Sequence, residues 1–128
     1  MSTVALATDV GMGIVTNRMK GAGTEPNFIG WGTGATAPVA GNTVLQTAAA
    51  EARATGVSTR VLTNVANDTY QVVGSITCAG SAKAITEIGL FDAATAGNLF
   101  ARATFLPINL SVGDSTQFTV LTVFDQGV

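Results

Sequence analysis

Few residues of this chain have side chains suited to catalysis, and their spacing does not gather them into a site. The sequence contains no histidine and a single cysteine, Cys78, which excludes imidazole base chemistry, an internal disulfide and a thiolate metal cluster. The eight carboxylates are spread singly, and no serine lies in the G-x-S-x-G pattern of an activated nucleophile. We therefore predict no enzymatic activity, no metal and no cofactor, with Cys78 a small core residue.

Three alternate glycines, Gly30, Gly32 and Gly34, form the one pattern that suggests a phosphate-binding loop. Such loops lead from a strand into a helix, whose N-terminal amides and dipole hold the anion. Here the run leads into a loop that contains Pro38. The sequence therefore does not predict a nucleotide site.

Glu87 lies inside an apolar, strand-forming stretch, residues 84–91. Large apolar groups on both faces predict a central strand buried on both sides, where an unpaired carboxylate is unfavourable. One interpretation pairs Glu87 with Arg102 on the neighbouring strand, or lets it reach solvent at an edge. The other is an ion pair that locks a contact between subunits, with Arg102 or Arg53 as partner. Gly89 leaves room for a neighbouring chain or side chain to approach.

Three aromatic residues, Trp31, Tyr70 and Phe100, are candidate anchors of a protein interface. We expect Trp31 to pack in the core, since it belongs to a predicted strand. For Tyr70 the sequence leaves core and interface equally open. The interaction residues predicted from the sequence are thus Trp31, Arg53, Tyr70, Glu87 and Arg102.

The composition indicates a globular chain with an unusually uncharged surface. Of its 128 residues 47% are hydrophobic and only 11% are charged, and the net charge is −2. The six Lys and Arg residues are scattered, so no basic stripe for nucleic acid forms, and no apolar run approaches the roughly 20 residues that cross a bilayer. A free-living monomer usually carries more charge. We therefore expect a homo-oligomer packed against other chains; the alternative is a small monomer of unusual composition.

The N-terminal region is expected to form an arm and a short helix. Thr8 resembles a helix N-cap and Gly21 a terminator, which predicts a helix over residues 9–20. Because Gly11 and Gly13 weaken a helix, an extended segment is the alternative. The chain starts Met1-Ser2-Thr3, without the basic start of a secretory signal, so synthesis in the cytoplasm is expected.

The rest of the chain has the signals of short strands joined by tight turns. Strands are predicted at residues 27–32, 59–63, 69–78, 84–91, 99–105, 108–110 and 116–124. Pro107 is expected to end the strand before it. Residues 33–57 are predicted to be an extended loop or arm, in which 43–55 is weak helix or loop. The fold class is a mainly all-β single domain, residues 1–128: an antiparallel β-sandwich or jelly-roll-like barrel with one N-terminal helix.

Residues 87–92 read Glu-Ile-Gly-Leu-Phe-Asp and are followed by Gly-Asn-Leu-Phe-Ala at residues 97–101. This pattern resembles one in virion proteins of tailed bacteriophages, in the N-terminal region of tail-collar and tail-fibre proteins. Residues 11–21 resemble the opening segment of that family, and residues 28–34 its strand and glycine loop. Glu51 and Arg53 resemble its E-x-x-R segment, with a spacing one residue shorter.

The resemblance implies a virion structural protein. Because tail fibres continue into a long shaft, a chain that stops at Val128 is more similar to a capsid decoration (cement) protein. Such proteins bind the outside of the shell and bridge its major capsid subunits, often as trimers, and residues 2–7 and 33–50 would be arms that reach a neighbour. A tail-fibre, collar or neck attachment module is the alternative, and a carbohydrate-binding module, with Trp31 and Tyr70 stacking on sugar, is another.

Overall fold

The computed structural model describes residues 1–125, which form nine strands and one helix in two sheets. The elements are β1 (Ser2–Val4), β2 (Leu6–Ala7), α1 (Asp9–Met19), β3 (Phe28–Gly32), β4 (Ala54–Thr55), β5 (Val57–Val61), β6 (Thr69–Thr77), β7 (Lys83–Phe91), β8 (Leu99–Leu110) and β9 (Ser115–Val123).

The fold is a β-sandwich and not a closed barrel. One sheet has the order β1-β9-β6-β5 and the other the order β2-β8-β7-β3-β4. Every neighbouring pair is antiparallel except β1 and β9, which run parallel. The fold class predicted from the sequence is confirmed, and of its two versions the sandwich is the observed one.

The core lies between the two sheets and is made by alternate residues of their strands. Ile29, Ile88 and Leu90 from the five-stranded sheet face Phe118 and Val120 from the four-stranded sheet, all with no exposed surface. Central β7 is buried along most of its length, as its apolar sequence predicted. Its other face is covered by the loop between β3 and β4, so both faces of this strand are shielded from water.

Helix α1 begins where the sequence predicts, because Thr8 serves two purposes. Its hydroxyl oxygen accepts a hydrogen bond from the Gly11 amide at 2.9 Å and donates to the Leu99 carbonyl at 2.6 Å. The cap is therefore also the attachment of the helix to β8. A side chain at Gly11 would have its Cβ 2.3 Å from the Phe100 carbonyl oxygen, which explains a glycine inside this helix.

The N-terminal segment is not a free arm. Residues 2–7 form β1, which pairs with β9, and β2, which pairs with β8, so the segment crosses from one sheet to the other. Between these strands the Ala5 amide donates to the Leu121 carbonyl at 2.8 Å. The backbone groups that a reaching arm would offer to a neighbour are thus used within the chain.

Pro107 does not end a strand, and that prediction is wrong. Strand β8 runs through it without a break, from Leu99 to Leu110. The pairing of β8 with β7 shifts register between Ile85 and Glu87, so Pro107 lies beside a bulge, where the ladder is interrupted. A residue without an N–H is tolerated at that point because the ladder does not require its hydrogen bond.

The remaining boundaries differ by a few residues, and residues 43–55 contain no helix. Strand β5 starts two residues earlier than predicted and ends at Val61. The loop predicted over residues 33–57 is shorter in the structure, because residues 54–55 form β4, which pairs with β3, and Val57 begins β5. An isolated bridge between Gly32 and Ala48 fastens the remaining loop to the sheet.

Candidate functional site

Glu87 is paired with Arg102 inside the chain. Arg102 Nε donates to Glu87 Oε1 at 2.9 Å, and these residues are 1% and 0% exposed. Arg102 lies opposite Gly89 on the neighbouring strand, so its side chain reaches diagonally to Glu87. The interpretation of an intramolecular pair between adjacent strands is confirmed, and the subunit-locking pair with these two residues is not observed.

The Glu87 carboxylate also fastens the loop between β3 and β4. Its oxygens accept backbone N–H groups of Gly34 at 2.8 Å, Gln46 at 2.8 Å and Thr47 at 2.7 Å. Burial alone would raise the pKa of Glu87, but these amides and the Arg102 guanidinium outweigh it and lower that pKa. Glu87 is therefore ionised and holds the start of the loop and residues 46–47 on the sheet.

The alternate glycines make room for this loop rather than for a phosphate. A Cβ at Gly32 would lie 2.3 Å from the Thr47 carbonyl oxygen, and one at Gly34 would lie 2.4 Å from Glu87 Oε2. The sequence did contain a signal for this contact, because a glycine in a strand often marks a place where another segment of backbone comes close. The sequence did not show which segment of the chain would come close to these glycines.

Arg53 binds a different part of the molecule from the one predicted. Its Nη1 donates to the carbonyls of Ala93 at 2.8 Å and Ala96 at 2.7 Å, and its guanidinium carbon lies 3.4 Å from the centre of the Phe91 ring. Burial lowers its pKa, and the Asp92 carboxylate partly offsets this. The proposed partnership of Arg53 with Glu87 is wrong; Arg53 supports the turn between β7 and β8.

Trp31 packs in the core, as expected. It is 2% exposed and meets Phe118 of the opposite sheet edge to face, with ring centres 6.1 Å apart. Its ring is therefore closed to any partner outside the chain.

Tyr70 lies at the border between core and surface. It stacks edge to face on Phe100 at 5.9 Å, and its hydroxyl donates to Glu25 at 3.1 Å. Burial and the Glu25 carboxylate raise the pKa of Tyr70. Glu25 also accepts the Ser58 hydroxyl, so its charge is satisfied within the chain.

A cavity of about 760 Å³ opens beside Tyr70, under helix α1. Its floor is apolar and its rim carries charged groups. The lining residues are Ile14, Val15, Arg18, Met19, Glu25, Pro26, Arg60, Tyr70, Phe100 and Phe124. The volume is that of a small-molecule site, but the described lining residues hold no nucleophile beside a base.

A second ion pair, which the sequence did not reveal, joins Glu51 to Lys83. Burial would raise the pKa of Glu51, but the Lys83 ammonium and the Ala79 amide lower it to about 2. Lys83 also donates to the Ala79 carbonyl at 2.8 Å. The pair holds the end of the loop against the start of β7.

Within residues 1–125, no group of three or more acidic, cysteine or histidine side chains is arranged to hold a metal ion. In the same residues no helix is both long and apolar enough to span a membrane.

Comparison with protein-family models, with curated proteins and with solved structures gave no match to this chain. The class that the structure itself defines is a single-helix β-sandwich whose buried charges serve to fasten its own loops.

Proposed function

We propose that this chain is a non-enzymatic structural protein of a tailed-bacteriophage virion, a capsid decoration protein that binds the outside of the shell. Its mechanism is association alone: many copies bury apolar and hydrogen-bonding surface across junctions between major capsid subunits. The shell then ruptures only after those contacts break, so bound protein stabilises it by mass action. The chain is made in the host cytoplasm and acts in the virion.

The residues that carry the resemblance to phage virion proteins shape one hairpin and the loop beside it. Glu87 fastens the loop, and a Cβ at Gly89 would lie 2.8 Å from Leu99. Asp92 accepts the Asn98 amide at 2.7 Å and Gly97 has a φ of 71°, which shapes the turn that follows. The pattern therefore concerns the local structure of this hairpin and does not by itself identify a partner.

The observation that carries the proposal is the amount of large apolar side chain on a surface with little charge. Leu106 is 88% exposed, Met19 82% and Val44 66%, and they lie on different elements. Single exposed apolar residues are ordinary on a protein surface. Many of them on a chain with only 11% charged residues favour a protein that is bound to other chains.

The test is to mix the purified protein with expanded shells that lack it and to remove unbound protein by sedimentation. The proposal expects saturable binding at hundreds of copies per shell and a higher temperature of shell rupture. Leu106→Glu should weaken binding, whereas Thr43→Glu, which adds the same charge at an exposed polar position, should weaken it less. Protein that stays in the supernatant at saturating concentration would refute the proposal.

Copy number separates the head from the tail. Gel densitometry of whole virions giving a handful of copies would instead support a tail-fibre, collar or neck module. The carbohydrate-binding alternative has only Tyr70 left of its two aromatic candidates, because Trp31 is buried. Binding of the isolated protein to a glycan array would favour it.

A further inference from the structure

The outer side of the four-stranded sheet is a face without charge. Val72, Phe118 and Val120 point into the core, so the alternate residues of β1, β9, β6 and β5 point outwards. Across the middle of this side the register aligns Thr59, Gln71, Leu121 and Val4 in one row. We call the outward residues of these four strands the neutral face.

Every residue of the neutral face is aliphatic or an uncharged Ser, Thr or Gln. The one charged residue in the four strands, Arg60, lines the cavity on the opposite side. Two charges lie at the ends of the sheet: the N-terminal ammonium donates to the Gln117 carbonyl at 2.6 Å, and the Asp68 carboxylate accepts the hydroxyl of Thr69 at 2.8 Å. Outer faces of sandwiches normally carry charged side chains that keep them in water.

The neutral face also exposes aliphatic groups that no described element covers. Val57 is 70% exposed and Val4 62%, at its two edges. Between them Val73, Leu121 and Val123 are partly exposed. Aliphatic groups spread across a whole sheet face resemble one half of a sandwich interface rather than a solvated surface.

We propose that two copies of this chain pack against each other through their neutral faces. Strands β6 and β9 are nine residues long, β5 is five and β1 is three, so at about 4.8 Å between strands and 3.3 Å per residue the face measures roughly 410 Å² in projection. A standard interface buries about 800 Å² of accessible surface on each partner, and a pleated surface exceeds its projection, so stable binding needs nearly the whole face covered. A second copy has the same outline and covers it.

Charge argues for the same occupant. A charged partner surface would lose its hydration against the neutral face and find no opposite charge there. A second copy brings no charge and places aliphatic groups against aliphatic groups about 10 Å apart, as sheets pack within a domain. The contact is isologous, so it closes as a two-fold dimer, with Gln71 near the dyad because it lies in the middle of the face.

The inference does not need a viral shell, and it differs from the trimer that the sequence resemblance implies. A protein that decorates shells as a monomer or trimer would refute the dimer and leave the proposed function standing. A dimer that binds neither shells nor tails would support this inference and refute the proposed function.

The experiment is sedimentation equilibrium of the whole chain over about 1 to 300 µM, a range that covers dissociation constants of an ordinary reversible dimer. Wild type is expected to approach twice 12.9 kDa as its concentration rises. Gln71→Glu and Gln71→Lys should each raise the dissociation constant about tenfold or more, because like charges meet near the dyad. An equimolar mixture of the two variants should restore association.

Asn109→Asp is the control, since it adds a negative charge at an exposed position on β8, outside the neutral face. The Gln71 amide donates to the Thr59 hydroxyl at 3.3 Å, and a carboxylate can accept from that hydroxyl instead, so Gln71→Glu should stay folded by circular dichroism. A wild type that is monomeric or trimeric throughout would overturn the proposal. So would variants that dimerise like wild type, or a mixture that stays monomeric.

Discussion

Glu87 and Asp68 show how single carboxylates set the local structure of this chain. Each accepts four hydrogen bonds, and in each case most of the donors are backbone N–H groups. Asp68 closes the turn between β5 and β6 by binding the amides of residues 63–65. The two carboxylates can be buried because they accept hydrogen bonds from loop N–H groups, which have no partner in a neighbouring strand.

The first prediction concerns the buried pair. Glu87→Gln should lower the free energy of unfolding by about 3–5 kcal/mol, because Arg102 would remain buried without a counter-charge. Urea denaturation measures the loss. Glu25→Gln is the control: its carboxylate is only partly buried and an amide oxygen can accept the same hydroxyls, so a loss of about 1 kcal/mol or less is expected. Equal losses in the two variants would contradict the assigned role of Glu87.

The second prediction is a loss of stability in acid. Hydrogen bonds from the Val65 amide and its neighbours lower the pKa of Asp68, and the pKa values of Glu51 and Glu87 are lowered as well. The unfolded chain, with ordinary values of about 3.9 to 4.3, then binds more protons than the folded chain, so stability rises with pH.

These carboxylates contribute fully above about pH 5, and their contribution disappears as the pH falls through the folded values, about 2 for Glu51. Urea midpoints measured at about pH 7, 5 and 3 should be similar at the first two and lower at the third. A midpoint that does not change down to pH 3 would show that these carboxylates are not stabilised in the fold.

At the scale of elements, helix α1 is held on the sheet by its first turn and by the buried side chain of Ile14. Thr8 fastens it to β8, and its exposed side carries Met12, Gly13 and Thr16. A glycine in this helix is therefore required where the helix touches the strand and dispensable where it faces water.

The third prediction uses the two helical glycines as a matched pair. Gly11→Ala should destabilise the protein by about 1–3 kcal/mol, because its Cβ would collide with the Phe100 carbonyl. Gly13→Ala should stabilise it by about 0.5–1 kcal/mol, because nothing lies within 4 Å of the new methyl group. Thermal unfolding of both variants gives the comparison, and shifts of the same sign would mean that the helix docks differently.

At the scale of the molecule, connections between the sheets make the domain one unit. The N-terminal segment pairs with both sheets, and the Trp31 ring meets Phe118 across the core. The main core lies between the two sheets and is completed only when they pack together, so neither sheet is expected to persist alone.

The fourth prediction is a single unfolding transition. Trp31 fluorescence reports the contact between sheets, and far-ultraviolet circular dichroism reports the strands themselves. The two probes should give the same midpoint and slope in urea, as two-state unfolding requires. Fluorescence that changes at lower urea than the dichroism would show sheets that separate before they unfold.

The sequence alone determined the fold class, the position of central β7 and the helix start, because each depends on local signals. Apolar residues on both faces of residues 84–91 specify a buried strand, and Thr8 specifies a cap whatever lies beyond it. The choice between Arg102 and Arg53 as partner of Glu87 was left to the tertiary structure. So were the strand role of residues 2–7, the passage of β8 through Pro107 and the neutral face. Each depends on which strands become neighbours and in what register. The spacing of nearby residues does not determine how strands that are far apart in the sequence pair.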